Sequence, residues 1–228
     1  ILAMLVMSQI FKPGSPFIAS TYTTTMDMAT GSALLANAES MRSRAAATQV
    51  IKERFNIPAE TFSFMADSYL SDGQAAMEKS LMPALLDLSG SDIQYGMGRL
   101  GGSTFASPIQ MIIDNDLFNV IEKCNSKLVV NDDTLAVEEI WEQAPDSQFV
   151  TTMHTLQHCR EIIRPELLIS KSVDSWKEAG GKDLYERAVD KYNELKKQFQ
   201  PQEIEGNVVK EMEKIVQHAD TKLVGKLM

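Results

Sequence analysis

The stretch that decides the fold is TFSFMADSYLSDGQAAMEKSLMPALLDLSGSDIQYGM, residues 61–97. The short apolar run at 61–66 predicts a buried strand. Ser71 or Asp72 then supplies an N-cap for a helix over 74–88. A second apolar run at 92–97 follows a Ser-Gly-Ser turn and predicts another strand. A helix of this length between two short strands predicts a parallel sheet with right-handed crossovers.

The same alternation extends in both directions along the chain. Residues 16–25 are rich in β-branched and aromatic side chains and predict a strand, and the Ala-rich segment 32–55 predicts a long helix. Another helix is predicted from Ser107-Pro108 to about residue 124. Three strand–helix units are too few to close a barrel of eight. On these patterns alone, the sheet is part of a barrel or part of an open doubly wound sheet.

Residues 129–228 differ in character from residues 1–128. We predict that 1–128 hold the strand–helix units and that 129–228 form a helical C-terminal region of the same domain, with a strand near Val129 as an alternative there. Ile1 stands inside a helical pattern without an initiator methionine or an N-cap, which predicts that an N-terminal part is missing. The remaining helices are predicted at 2–10, 134–143, 155–163, 172–179, 183–199 and from 201 to the end.

Composition narrows the function class. The 228 residues are 44% hydrophobic and 23% charged, which is typical of a globular protein, and the net charge of −9 argues against a nucleic-acid partner. No run is apolar for the roughly 18 residues that a membrane span needs. Cys124 and Cys159 form no disulfide framework, and the N-terminus lacks a signal-peptide pattern. We therefore expect a cytoplasmic protein with no membrane contact.

Candidate site residues follow the predicted strands, because ligands of such folds bind beyond the carboxyl ends of the strands. Their carboxylates and phenols favour a cationic ligand such as a quaternary or protonated amine. Asp67 is favoured because it directly follows an apolar strand. Alternatively, Asp72 is a helix cap, Asp27 a turn residue and Tyr95 a packing residue. The substrate-site candidates are Tyr22, Thr24, Asp27, Asp67, Ser68, Asp72, Gln74, Tyr95 and Gly98.

Other chemistries lack their signatures. The glycine-rich segment 96–103 lacks the G-x-G-x-x-G order, and no G-x-S-x-G occurs. His154 and His158 lie four residues apart, but Thr155 stands where a metalloprotease needs Glu. We therefore expect hydrogen bonding rather than a metal site from these histidines, with His154 at the edge of the substrate site.

Several motifs taken together resemble the trimethylamine methyltransferase family, in order and spacing, to about residue 199. They are Lys12-Pro13-Gly14-Ser15-Pro16, Ala66-Asp67-Ser68, Asp72-Gly73-Gln74-Ala75, Gly96-Met97-Gly98-Arg99-Leu100, Ile112-Ile113-Asp114-Asn115-Asp116, His154-Thr155-Leu156 and Pro165-Glu166-Leu167-Leu168.

The resemblance implies a (β/α)8 barrel of which this chain is the C-terminal part. It implies methyl transfer from a methylated amine to Co(I) of a separate corrinoid protein, so that the chain binds no cofactor directly. It also implies a homo-oligomer for the full-length protein. Some members carry pyrrolysine and use trimethylamine, whereas others lack it and use quaternary amines such as glycine betaine. No pyrrolysine is written here. A quaternary amine departs as a neutral tertiary amine and needs no general acid, which is consistent with the lack of a catalytic triad in this sequence.

The roles of the strand-end residues are a hypothesis that rests on their positions in the loops, and the family resemblance supports Asp67, Asp72 and Gln74 only as members of shared motifs. Asp67 and Asp72 are the catalytic candidates that balance the cation, while Tyr22 and Tyr95 wall it and Gln74 orients a substrate group. Two alternatives remain open at this point. One is a phosphate-binding barrel that uses the Gly101-Gly102 turn. The other is a truncated, non-catalytic interaction module, which would aggregate or self-pair because half a barrel leaves strand edges and apolar faces uncovered.

Overall fold

The computed structural model describes residues 1–143, 148–169 and 171–223. Its strands are β1 (Ala19–Thr21), β2 (Thr25–Met26), β3 (Ala33–Leu34), β4 (Ala59–Phe62), β5 (Ile93–Tyr95), β6 (Arg99–Leu100) and β7 (Phe105–Ala106). Its helices are α1 (Leu2–Phe11), α2 (Ala38–Gln49), α3 (Gly73–Leu88), α4 (Pro108–Asn125), α5 (Asp132–Leu135), α6 (Val137–Gln143), α7 (Met153–His158), α8 (Val173–Glu178), α9 (Leu184–Gln198) and α10 (Gly206–Leu223). A π-helical stretch, Val50–Phe55, continues α2, and a 3-10 turn spans Phe149–Thr151.

The main sheet has three parallel strands in the order β1–β4–β5, so strands that follow one another through a helix are neighbours. Two antiparallel pairs, β2–β3 and β6–β7, form small hairpins beside it. The strand–helix–strand unit predicted from residues 61–97 is therefore confirmed. The strands are shorter than predicted, because in each segment the hydrogen-bonded pairing with the neighbouring strand ends where the chain turns into a loop.

One face of this sheet is buried and the other is open. Ala19, Ala59 and Thr61 are buried, and α2 contacts both β1 and β4. The pleat places the row formed by Ser20, Glu60 and Ile93 on the opposite face, where Ser20 and Ile93 are exposed and Glu60 is half-buried. A parallel sheet is normally covered on both faces. The open face is therefore unusual for a complete parallel-sheet domain.

A buried ion pair joins the helices to the loops that follow the strands. Lys79 Nζ donates to Asp114 Oδ2 at 2.8 Å and to the Phe64 carbonyl at 2.9 Å, and neither charged side chain reaches solvent. Asp114 also accepts from the Gly98 N–H and from Gln110 Nε2, both at 2.7 Å. Burial lowers the pKa of Lys79, and the Asp114 carboxylate opposes this shift. The pair thus links α3, α4 and the chain after β4 and β5.

The predicted helix over 32–55 was wrong at its start, whereas its end at Phe55 is confirmed. Residues 33–34 pair with β2 as a hairpin, and α2 begins only after Asn37, whose side chain accepts from the Ser40 N–H. The C-terminal end widens into the π-helical stretch, which stops at Asn56 with φ 49°. Asn37 explains the late start, because a short polar side chain caps a helix better than it continues one.

Helix boundaries also differ in the C-terminal region. Ala136 adopts φ 49° and divides the predicted helix over 134–143 into α5 and α6. The helix predicted over 155–163 starts two residues earlier and ends at His158, and Val129 lies in no strand. Of the two N-cap candidates for α3, Asp72 is the one that accepts a backbone N–H of the first turn. The helix start predicted at Ser107-Pro108 is confirmed, with Ser107 as its N-cap.

The described residues divide into two compact units, Ile1–Tyr192 and Asn193–Met228. The first unit holds the sheet and helices α1–α8. The second holds α10, none of whose residues is buried. The predicted change of character at residue 128 falls inside the first unit and stays a prediction.

We predict that Lys79→Met lowers the free energy of unfolding by about 3–5 kcal/mol, because Asp114 is left buried without its cation. The matched control is Lys52→Met, which removes the 2.8 Å ion pair with Asp92 at the partly exposed surface and should cost about 0–1 kcal/mol. Urea unfolding of the chain measures both. Equal losses would contradict a special role for the buried pair.

Candidate functional site

Three aromatic rings, one from the end of each main-sheet strand, form a stacked row. The ring centres of Tyr22 and Phe62 are 5.8 Å apart, and those of Phe62 and Tyr95 are 4.9 Å apart, with interplanar angles of 20° and 16°. Tyr22 and Tyr95 are 51% and 40% exposed, whereas Phe62 is buried between them. The register that pairs Phe62 with Tyr95 creates this aromatic row. The structure thus brings two predicted residues together through a third, Phe62, which sequence reasoning missed.

Gly96 makes room for the aromatic row. A Cβ at this position would lie 2.0 Å from Cε2 of Phe62, and the residue has φ +106°. Only glycine accepts both conditions. Gly96 therefore serves the packing of Phe62 and need not touch a ligand.

Arg44 lies against one end of the aromatic row. Its guanidinium carbon is 5.2 Å from the centre of the Tyr22 ring, and the side chain is completely buried. Nε donates to the Thr23 carbonyl at 2.8 Å and Nη1 to the Phe62 carbonyl at 2.7 Å. Burial lowers the pKa of Arg44, while Tyr22 and Asp67 act in the opposite direction. No local sequence pattern predicts this role, because an arginine in an Ala-rich helix is normally expected at the surface.

Glu60 brings a carboxylate to the open face of the sheet. It precedes Phe62 by two residues on β4, so the pleat places both side chains on the same face, about 7 Å apart along the strand. Within residues 1–143, 148–169 and 171–223, no ion pair or side-chain hydrogen bond engages its carboxylate. Glu60 was also missed, although alternation along the strand could have placed it.

Asp67 anchors the chain that leads into α2. Oδ1 accepts from the Leu35 N–H at 3.0 Å and Oδ2 from the Ala36 N–H at 2.9 Å. Its own N–H donates to Glu78 Oε2 at 2.8 Å. Both carboxylate oxygens are thus engaged with backbone, which makes Asp67 a positioning residue in this geometry. Its catalytic role stays a prediction.

Ser68, Asp72 and Gln74 form a hydrogen-bonded group at the start of α3. Ser68 Oγ donates to Asp72 Oδ1 at 2.9 Å, and the same oxygen accepts from the Ala75 N–H. These two donors, the backbone N–H first, lower the pKa of Asp72. Gln74 Nε2 donates to Glu78 Oε1 at 2.9 Å. The capping alternative for Asp72 describes what the structure shows, while the substrate roles of the three residues stay predictions.

Thr24 and Asp27 belong to the β2–β3 hairpin. Thr24 Oγ1 donates to the Leu34 carbonyl at 2.9 Å, and Asp27 accepts from Thr30 Oγ1 at 2.6 Å and from the Ala29 N–H at 3.0 Å. The Thr30 hydroxyl and then the Ala29 N–H lower the pKa of Asp27. These contacts give Asp27 the role of a turn residue and do not connect it to Asp67 or Tyr95.

Gly98 and His154 have hydrogen-bond partners outside the aromatic row. Gly98 has φ +81° and donates its N–H to Asp114, so it belongs to the buried ion pair. His154 lies on α7, where Nε2 is 2.8 Å from the Asp133 carbonyl oxygen of α5. The expected place of His154 at the edge of the substrate site receives no support from these contacts.

The Gly101-Gly102 turn offers little to a phosphate. The Gly101 N–H donates to the Ser68 carbonyl at 2.7 Å, and the Gly102 N–H donates to the Ala66 carbonyl at 2.9 Å. Backbone donors that already hold the preceding loop are not available to cradle an anion. The geometry therefore disfavours the phosphate-binding alternative.

Comparison with known proteins identifies the family to which the chain belongs. Residues 1–223 match the family model described as trimethylamine methyltransferase (MTTB). The chain belongs to this family. In the described part of the chain, no helix combines the length and apolarity that a membrane span requires. The resemblance inferred from the motifs is therefore confirmed.

Individual relatives agree with this assignment. The chain is 31% identical over 221 residues to "Trimethylamine methyltransferase MttB" of Methanosarcina barkeri (strain Fusaro / DSM 804), which covers 96% of the chain and 44% of the relative. It is 28% identical over the same length to the protein of that name in Desulfitobacterium hafniense (strain DSM 10664 / DCB-2), again with 96% and 44% covered. Similarity to "Glycine betaine methyltransferase" of Desulfitobacterium hafniense (strain Y51) is 24% over 178 residues, or 77% of the chain and 37% of the relative. The chain thus spans less than half the length of these relatives.

We predict that Asp67→Ala lowers the free energy of unfolding by about 2–4 kcal/mol, because the buried N–H groups of Leu35 and Ala36 lose their acceptors. Hydrogen exchange of these two amides should accelerate in parallel. The matched control is Asp27→Ala, which removes a turn carboxylate and should lower stability far less than Asp67→Ala. An Asp67→Ala variant as stable as the native chain would contradict the positioning role and favour the catalytic one.

Proposed function

We propose that the complete protein containing this chain transfers a methyl group from a methylated amine, most readily a quaternary one, to Co(I) of a corrinoid protein. Family membership and the names of the relatives support the methyltransferase class. The observation that carries the proposal is the aromatic row above Glu60 on the open face of the sheet. This arrangement suits an ammonium ion better than any anion.

We propose further that the three-stranded sheet is part of a (β/α)8 barrel. Successive strands of such a barrel are neighbours, as β1, β4 and β5 are, whereas an open doubly wound sheet reverses its strand order at a switch point. The open face, with Ser20, Glu60 and Ile93, would then line the barrel interior. The aromatic row would lie at the carboxyl ends of the strands, where barrel enzymes bind their substrates.

The charges around the aromatic row give the amine a preferred place. A methylated ammonium group is attracted to the faces of aromatic rings and to carboxylates, and more strongly where water is excluded. Arg44 already occupies the Tyr22 end with a positive charge. We therefore place the substrate cation nearer Tyr95 and Glu60. Tyr22 would be a wall whose ring electrons are partly engaged by Arg44.

The chain's contribution to the reaction is positioning and desolvation. The corrinoid carried by the partner supplies the nucleophilic cobalt when it is bound. A quaternary amine leaves as a neutral tertiary amine, so no group of this chain has to deliver a proton to the nitrogen. Tyr95, Phe62 and Glu60 then orient the cation and exclude water from it. The exposed edges of Tyr22 and Tyr95 leave the row open to a partner that approaches from the strand ends.

The activity is tested with the product of the complete open reading frame that encodes this sequence. It is mixed with Co(I) cobalamin and, separately, with trimethylamine, glycine betaine, carnitine and proline betaine. We expect methylation of the cobalamin, followed by its absorption spectrum, with at least one quaternary amine. Absence of methylation with all four amines would rule the proposal out, and transfer from trimethylamine alone would contradict the quaternary preference.

Glu60→Gln tests the carboxylate. A charge pair at about 4–5 Å in an effective dielectric of about 20 is worth roughly 3–4 kcal/mol, so kcat/KM should fall by at least about 100-fold. Glu53→Gln is the matched control, because Glu53 is exposed on the π-helical stretch, and it should leave kcat/KM unchanged. Equal rates for the two variants would remove Glu60 from the site.

A further inference from the structure

A second cluster of chemically active side chains lies outside the strand ends. His154 and His158 are one turn apart on α7, with ring centres 4.3 Å apart, and Asp133 reaches them from α5. One potential ligand atom from each of the three residues lies within 4.8 Å of the other two. Nε2 of His158 is 3.3 Å from Asp133 Oδ2. The sequence analysis expected no metal site here because Thr155 stands where the metalloprotease motif needs Glu, and the structure adds Asp133 to the two histidines.

From this geometry we propose that Asp133, His154 and His158 bind a divalent transition metal ion, with Zn²⁺ as the first candidate. Two imidazoles and one carboxylate form a ligand set that zinc accepts, and three protein ligands leave one position for water. Nickel and cobalt suit the same nitrogen and oxygen donors, whereas magnesium and calcium prefer oxygen alone. The site is separate from the proposed amine site and does not rest on the proposed function.

Hydrogen bonds hold each imidazole in the orientation that a metal ligand needs. Nδ1 of His158 is 2.8 Å from Glu161 Oε1, and Nε2 of His154 is 2.8 Å from the Asp133 carbonyl oxygen. In metal sites, the ring nitrogen that does not bind the ion donates to a carboxylate or a carbonyl in this way. The arrangement leaves Nε2 of His158 and Nδ1 of His154 as the ligand atoms.

The cluster has space and freedom to close around an ion. Tetrahedral zinc places its ligand atoms about 3.4 Å apart. The three ligand atoms lie within 4.8 Å of one another, so no pair has to approach by more than about 1.4 Å. The Asp133 side chain, 64% exposed, can make that adjustment. A cavity of about 530 Å³, lined in part by Asp133, His154, Glu138 and Glu139, lies beside the cluster and admits the ion and its water.

Bound metal would fasten α5 to α7. These helices are 21 residues apart in sequence at the His154–Asp133 contact, and an ion that binds only the folded arrangement stabilises it by mass action. The competing explanation is a protonated His158 held between Asp133 and Glu161 with no ion. The two explanations differ in a measurable way, because only the first requires His154.

The test uses the full 228-residue chain, Zn²⁺ in calorimetry and Co²⁺ in visible absorption. We expect one ion per chain and the absorption bands of low-coordinate Co²⁺. His154→Ala and Asp133→Asn should each weaken binding by at least about 100-fold, and Glu161→Gln by about 10–100-fold through the orientation of His158. The matched control is His218→Ala, which removes an exposed histidine of α10 and should leave the affinity unchanged.

Two further variants separate the cluster from the thiols. Cys124→Ser and Cys159→Ser should retain the ion, because neither thiol belongs to the three-residue cluster. Circular dichroism checks that every variant is folded. The proposal is overturned if no saturable one-to-one binding occurs, if His218→Ala weakens it as much as His154→Ala, or if a serine variant abolishes it.

Discussion

The buried pair between Lys79 and Asp114 is the constraint on which the rest of the structure depends. Two charges without solvent are costly unless they are paired and hydrogen-bonded. Here the ammonium also donates to the Phe64 carbonyl, and the carboxylate also accepts from the Gly98 N–H and from Gln110. Those partners come from the loops after β4 and β5 and from α4. The pair therefore fixes where the chain goes as it leaves two strands, and with it the position of the candidate site.

The open face of the sheet links the fold to the function. Helices bury one side, while the other presents Glu60 beneath the stacked rings of Tyr22, Phe62 and Tyr95. Apolar and charged groups on the uncovered face of a parallel sheet are consistent with the lining of a larger enclosure. Since the chain spans 44% of the length of several family relatives, the methyltransferase proposal concerns the enclosure that the complete protein would form.

Carboxylates near the strand ends illustrate two kinds of role that look alike in sequence. Asp67 and Asp72 both follow a strand, yet each accepts backbone N–H groups, those of Leu35 and Ala36 in one case and that of Ala75 in the other. Glu60 lies within a strand and was not predicted as a site residue. Among the described residues, no backbone N–H donates to its carboxylate. Position in a loop indicates where a side chain is, but only its partners show whether it holds the backbone or faces a ligand.

The sequence by itself determined the alternation of strands and helices, the starts of α3 and α4, and the family, because these depend on local propensity, hydrophobic period and motif order. Tertiary structure alone decided the strand register that stacks Phe62 on Tyr95, the burial of Arg44 behind Tyr22, and the meeting of Asp133 with His154 and His158. Each of these is a contact between residues more than 15 positions apart. No local pattern contains such contacts, since they arise only when crossovers and packing bring distant elements together.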